Sequence, residues 1–179
     1  MKILVIDGYN CTWVKESVCA GGIEVEWVTL SDTVQGCIAC GKCNRRNQCV
    51  YEDEVNRIAD RAEELDGILI LCPLYYGRAD ENVISFVTRL MRSASRKFAF
   101  LPCAVLYFSR TDEKNHIVAI DELLAMADMF ILHEQGGNVI FGKDEQHVIR
   151  TCDVLCWMAG CMNKKTRPEL PEKVKDFVR

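Results

Sequence analysis

Three short runs constrain the fold most: KILVID (2–7), DGILILC (66–72) and LPCAVLYF (101–108). Each is apolar on consecutive positions, and KILVID has β-branched members. A strand that is apolar on both pleat faces has to be covered on both, as a central parallel strand is. Stretches with helical spacing lie between them. Val55, Ile58, Ala59, Ala62 and Leu65 mark a helix over 52–65, and Val83, Phe86, Val87, Leu90 and Met91 mark another. Strands alternating with helices predict an α/β, three-layer open parallel sheet with helices on both faces. Two more strands complete it: IEVEWVTL (23–30), with one wetter face suited to an edge, and NVIFG (138–142). Further helices are expected from Thr12 to about Ala20, over 113–133, from Val148 onward, and over the terminal RPELPEKVKDFVR. Pro73 is expected to stop the third strand. Right-handed crossovers leave five strands in the order 2-1-3-4-5 as the natural topology. With 179 residues, one domain spanning 1–179 is expected.

The totals exclude several function classes. A net charge of −4 gives no basic footprint, so no nucleic-acid partner is expected. Lys42, Arg45 and Arg46 are a local exception, read as a solvated loop tip. No apolar window reaches the length of a membrane span and no leader is visible after Met1, so a cytoplasmic protein without membrane association is expected. Eleven cysteines, an odd number, then read as metal ligands, redox thiols or small core residues, not as a disulfide scaffold.

Four of those cysteines crowd one short run, GCIACGKCNRRNQC: Cys37, Cys40, Cys43 and Cys49. Such a loop can aim several thiolates at one centre, as iron–sulfur clusters require. Zinc more often uses two separated CxxC pairs. Ordinary unliganded thiols are the remaining reading. Cys72, Cys103, Cys152 and Cys156 fall on apolar faces and read as core, whereas Cys11 is a candidate redox thiol. His116, His133 and His147 are scattered and receive no role.

In a sheet of this order, ligands bind at the carboxyl ends of the strands beside the switch in strand order. Three loops meet there. Gly8, Tyr9, Asn10 and Thr12 form a short strand-to-helix turn with backbone N–H groups suited to an anion, or a plain capped turn. Pro73, Leu74, Tyr75, Tyr76 and Gly77 offer two aromatics and a glycine that admits a planar ligand, or two tyrosines packing at a sheet edge. Ser109 and Arg110 open a polar turn. The cysteine loop follows strand two and is expected to emerge at the same rim.

With these parts assembled, the chain resembles the flavodoxin-like NADPH-dependent FMN reductases and, among them, the iron–sulfur flavoproteins. The resemblance covers the first two-thirds well and the rest loosely. It rests on KILVIDG, CIACGKCNRRNQC followed by Val50 and an acidic pair, PLYYG, and a helix ending FVTRL. It implies a flavodoxin-like fold and FMN, with the ring bordered by Pro73 to Gly77 and the phosphate held by Asn10 and Thr12. It also implies a [4Fe-4S] cluster on Cys37, Cys40, Cys43 and Cys49. NAD(P)H would be a co-substrate, and a homodimer or homotetramer is implied. One departure stands out. The family's first loop usually reads GSPR and ends in Gly-Asn-Ser/Thr. Here it is shortened to Gly8-Tyr9-Asn10-Cys11-Thr12. Each lost charge-assisted hydrogen bond to phosphate is worth about 1.5–3 kcal/mol.

Three functions follow as expectations. The first is an FMN-dependent oxidoreductase taking electrons from a reduced nicotinamide or a carrier and passing them to a small molecule or a carrier protein. The second is a non-catalytic electron carrier. The third is a flavin-free thiol or metal module on the same scaffold.

Overall fold

The computed structural model describes residues 1–19, 23–30, 33–110, 119–133 and 139–164. In chain order the elements are β1 (Lys2–Asp7), α1 (Thr12–Cys19), β2 (Glu24–Thr29), α2 (Cys43–Arg46) and α3 (Glu54–Asp60). A 3-10 turn (Ala62–Glu64) leads to β3 (Gly67–Tyr75), β4 (Arg78–Ala79), α4 (Glu81–Phe98) and β5 (Pro102–Ser109). The chain continues through α5 (Ala119–Ala125), β6 (Phe130–Leu132), β7 (Val139–Phe141) and α6 (Glu145–Lys164). The path through the sheet is β2-β1-β3-β5-β6, with parallel neighbours throughout. Leaving out the two-residue β4, this is the expected flavodoxin-like order.

Residue alternation explains the layers. Leu4, Ile6, Ile68, Ile70, Val105 and Tyr107 face α3, α4 and α5 in one core. Ile3, Val5, Leu69, Leu71, Leu106 and Phe108 face α1 and α6 in the other. Every residue of β5 is buried, as is β3 up to its last residue. β2, the edge strand, is only half-buried or exposed.

Several boundaries differ from expectation. The fifth position is split: β6 pairs with Pro102–Ala104 and β7 with Tyr107–Ser109. Of the helix expected over 113–133, residues 119–125 are helical and residues 113–118 lie outside the described residues. Asp128 adopts a left-handed φ of 55° and turns the chain out of the helix. Phe130, Ile131 and Leu132 then pair with β5 as a strand. The terminal helix expected over 167–179 also lies outside the described residues.

Pro73 does not stop β3, which runs on to Tyr75. Leu71 accepts from Gly8 N at 2.9 Å, and Pro73 accepts from Asp80 N at 3.1 Å. Two residues apart, they present their backbones to the same side. β1 has ended there, so the missing proline N–H removes no ladder bond. Beyond it, Tyr75 to Arg78 form a two-residue hairpin with φ of 51° at Tyr76 and 71° at Gly77. Both values are what a type I′ turn demands, and they give Gly77 a backbone reason to be glycine.

Gly8 has a different reason. A Cβ there would lie 2.3 Å from Val83 Cγ2 and 3.3 Å from Leu71 O. Val83 is fully buried and cannot move aside. Gly8→Ala is therefore expected to destabilise the fold by about 1–3 kcal/mol through overpacking. A urea titration should show a lower midpoint with an unchanged slope; an unchanged midpoint would refute the packing argument.

Candidate functional site

After β2 the chain turns down the side of α4. Val34 N donates to Asn82 Oδ1 in the first turn of α4 at 3.0 Å. Left-handed residues at Ala39 (φ 52°) and Gly41 (φ 67°) fold the segment back on itself. The single-turn α2 follows, closed by a left-handed Asn47. The result is one cavity lined by all four cysteines of the run, Cys37, Cys40, Cys43 and Cys49, together with Arg89, Arg92 and Ser93 of α4. The space is small, about 30 Å³. Its outer wall, residues 36–42, is exposed throughout and has no buried side chain to hold it shut. Among the described residues, no three His, Cys, Asp or Glu side chains converge as a single ion requires. A four-iron cluster gives each thiolate its own iron and so spaces the sulfurs apart.

Cys49 is held differently from the other three. Asn56 Oδ1 accepts from its N–H at 2.9 Å, and Asn56 Nδ2 donates to its carbonyl at 3.0 Å and to Tyr51 O at 2.8 Å. Its Sγ accepts from Arg89 Nε at 3.3 Å. The Arg89 side chain is 0% exposed and forms a two-toothed ion pair with Asp53, at 2.7 and 2.8 Å. Arg89 also donates to Gln35 O and lies 4.8 Å from the Tyr51 ring centre. Burial works against the charged guanidinium, but the hydrogen bonds to Asp53 and Cys49 outweigh it and raise its pKa. Asp53 doubles as the N-cap of α3, accepting from Val55 N at 3.2 Å. The cysteine spacing pointed to the sulfurs but not to Arg89, Asp53 or Asn56. One signal was available: an arginine set inside the apolar run Phe86-Val87-Thr88-Arg89-Leu90-Met91.

The first loop is built around Asp7, which is 3% exposed. Asp7 Oδ1 accepts from Tyr9 N at 2.9 Å and Asn10 N at 2.7 Å, and Oδ2 accepts from Trp27 Nε1 at 3.0 Å. Tyr9 stacks flat on Phe108, with ring centres 4.1 Å apart and planes 6° from parallel. Asn10 and Thr12 are exposed, and Thr12 begins α1.

The tyrosine turn is at the N-terminus of α4, where Asp80 caps the helix by accepting from Asn82 N and Val83 N. Tyr75 and Tyr76 are 61% and 95% exposed, while Pro73 and Leu74 are buried in the strand. Ser109 is buried at the end of β5 and Arg110 is exposed. The cysteine cavity does not adjoin this turn directly. It lies beside Arg89 to Ser93, roughly 12–18 Å further along α4 at 1.5 Å per residue.

The sequence pattern of the NADPH-dependent FMN reductases matches residues 1–127. The chain belongs to that family. A stretch of 75 residues, 40% of this chain, is 34% identical to an iron-sulfur flavoprotein of Methanocaldococcus jannaschii and covers 39% of that protein. Another of 71 residues, 39% of this chain, is 30% identical to an iron-sulfur flavoprotein of Archaeoglobus fulgidus and covers 32% of it. The matches thus span well under half the length of these curated relatives. The solved WrbA-like flavodoxin of Agrobacterium tumefaciens superposes with a TM-score of 0.61 at 13% identity, covering 92% of this chain and 98% of the other, which shows the shared fold.

The first loop departs from the phosphate-binding pattern that the resemblance implies, and its donors are already in use. The N–H groups of Tyr9 and Asn10 already bond to a buried carboxylate, so an incoming phosphate would meet like charge and find those two donors engaged. The phosphate of FMN does not fit this loop as it stands. The cysteine cavity supplies the donor type an iron–sulfur group takes, four soft sulfurs around one space with Arg89 against Cys49, but at about 30 Å³ it would have to widen at the exposed turn 36–42 to hold one.

Thiol reactivity should sort by these environments. Burial pushes Cys72 and Cys152 up to about 12, leaving on the order of one thiol in ten thousand ionised at pH 8. In metal-free protein at pH 8, iodoacetamide should label the exposed Cys19, Cys37 and Cys40 first and leave Cys72 and Cys152 untouched until unfolding. Peptide mass spectrometry reads the order; early labelling of Cys72 would contradict the burial.

Proposed function

We propose that this protein is a flavin-linked electron-transfer oxidoreductase whose cysteine cavity holds a [4Fe-4S] cluster. Membership of a family of flavin-dependent reductases supports the flavin. The observation that carries the cluster is that Cys37, Cys40, Cys43 and Cys49 line a single cavity faced by Arg89. The names of two relatives, iron-sulfur flavoproteins, point the same way. Such a cluster, when bound, supplies one-electron transfer. The chain's own part is to hold four thiolates, shield one of them beneath Arg89 and Tyr51, and present Tyr75 and Tyr76 at the head of the same helix. Reduced nicotinamide or a carrier protein is the proposed electron source, and a small molecule or a carrier protein the acceptor. We place the protein in the cytoplasm as a homodimer or homotetramer.

A second reading, a cluster-bearing module without flavin, is favoured by one observation: Asp7 occupies the N–H donors of the first loop.

Protein purified without oxygen should carry about four iron and four sulfide per chain, with broad visible absorbance lost in Cys40→Ser. Flavin titrations then separate the two readings. A phosphate gripped by two or three charge-assisted bonds would favour FMN over riboflavin by well over a hundredfold. With Asp7 in the way, the two flavins are expected to bind within about tenfold of each other. A large preference for FMN would show that Asp7 yields to phosphate. No binding of either would leave only the second reading.

A further inference from the structure

Arg89 is the largest side chain in the core with essentially no exposure, and it is charged. A buried charge is retained only where its partners compensate for lost hydration. Here the compensation is distributed unevenly. Two nitrogens serve Asp53, and one of these also reaches Gln35 O. The third nitrogen, Nε, is aimed at sulfur, 3.3 Å from Cys49 Sγ. Asn56 fixes the Cys49 backbone at both its N–H and its carbonyl. Cys37 and Cys40 are on the exposed turn and, among the described residues, show no comparable anchor; Cys43 Sγ has only Asn44 Oδ1 at 3.9 Å.

We propose that Arg89 is a positioning residue that fixes the Cys49 thiolate as the rigid corner of the iron–sulfur site and raises its reduction potential through the Nε–H···Sγ bond. The inference rests on the cluster reading above. Hydrogen bonds to ligand sulfurs and nearby charge are what a protein uses to set a cluster's potential. A cationic donor stabilises the sulfur more strongly after an electron is added, because the negative charge there increases. The bidentate pair with Asp53 makes the contact directional: with both terminal nitrogens occupied, the guanidinium plane cannot rotate and Nε must face Cys49. Lysine could keep the charge but not this fork, so Arg89→Lys should behave as a loss of the bond.

The test uses the anaerobically purified holoprotein. Iron and sulfide are counted first, and the midpoint potential is then read by EPR-monitored redox titration. Arg89→Lys and Arg89→Gln should each shift the midpoint to more negative values. Each should also speed iron loss to a chelator by about tenfold or more, the usual cost of removing a partner of a metal ligand. Arg57→Gln removes one positive charge from α3, at a side chain 71% exposed and paired with Glu54, and should leave the midpoint at the wild-type value. An equal shift in Arg57→Gln would overturn the hydrogen-bond assignment in favour of general charge. If the Arg89 variants fail to fold, wild-type protein grown with 15N-arginine decides the question. Pulsed EPR of the reduced cluster should show a hyperfine-coupled arginine nitrogen, and its absence would overturn the proposal. A cluster present with an unshifted midpoint in Arg89→Lys defeats this inference alone. A protein that holds no cluster at all defeats the cluster reading and this inference with it.

Discussion

The ion pair between Arg89 and Asp53 joins three segments that share no backbone ladder. Arg89 comes from the middle of α4, Asp53 from the start of α3, and the contacted Gln35 and Cys49 from the two ends of the cysteine loop. Without it, residues 33–49 would have few means of staying against the domain, since most of their side chains are exposed. Removing one partner of a buried pair costs about 3–5 kcal/mol. The lower end applies here, because the Asp53 side chain is 39% exposed and partly screened. Even so, that is large for a loop with almost no apolar anchoring. The stability of the thiolate cavity is therefore coupled to the stability of α4.

The sheet was legible because burial on both faces leaves an unambiguous trace. Runs such as ILILC and CAVLYF have no polar face to offer, and only central strands between two helix layers satisfy them. Two boundaries turn on a backbone state that side-chain pattern does not report: the left-handed Asp128 in the turn after α5, and Pro73 placed where β1 no longer needs a donor. The candidate site divides in the same way. Four cysteines at short spacing announce shared ligation. Arg89, forty residues away, could be matched to Cys49 only once α4 and the loop were packed together.

Asp7 shows the same limit from the other direction. In the sequence it reads as the polar end of an apolar strand. In the fold it is the first loop's internal anion, with two backbone donors and an indole nitrogen around it. A helix N-terminus with free N–H groups attracts phosphate; one whose approach already holds a carboxylate does not. The short loop and the Asp7 carboxylate beneath it are mutually consistent features. The carboxylate takes up two backbone donors, and the turn is complete without a ligand.

What remains connects through α4. Its first turn is capped by Asp80 immediately after the two exposed tyrosines, and its third and fourth turns form the inner wall of the thiolate cavity. A helix is stiff over this distance, so the two places keep a fixed separation whatever the exposed turn 36–42 does. The framework between the two places is thus a single helix built into the core. A fixed separation suits the electron transfer proposed for this site, which gains nothing from rearrangement. It also explains why the charged residue sits on α4 and not on the loop: a donor carried by the loop would move with the sulfurs, whereas Arg89 gives Cys49 a reference fixed to the core.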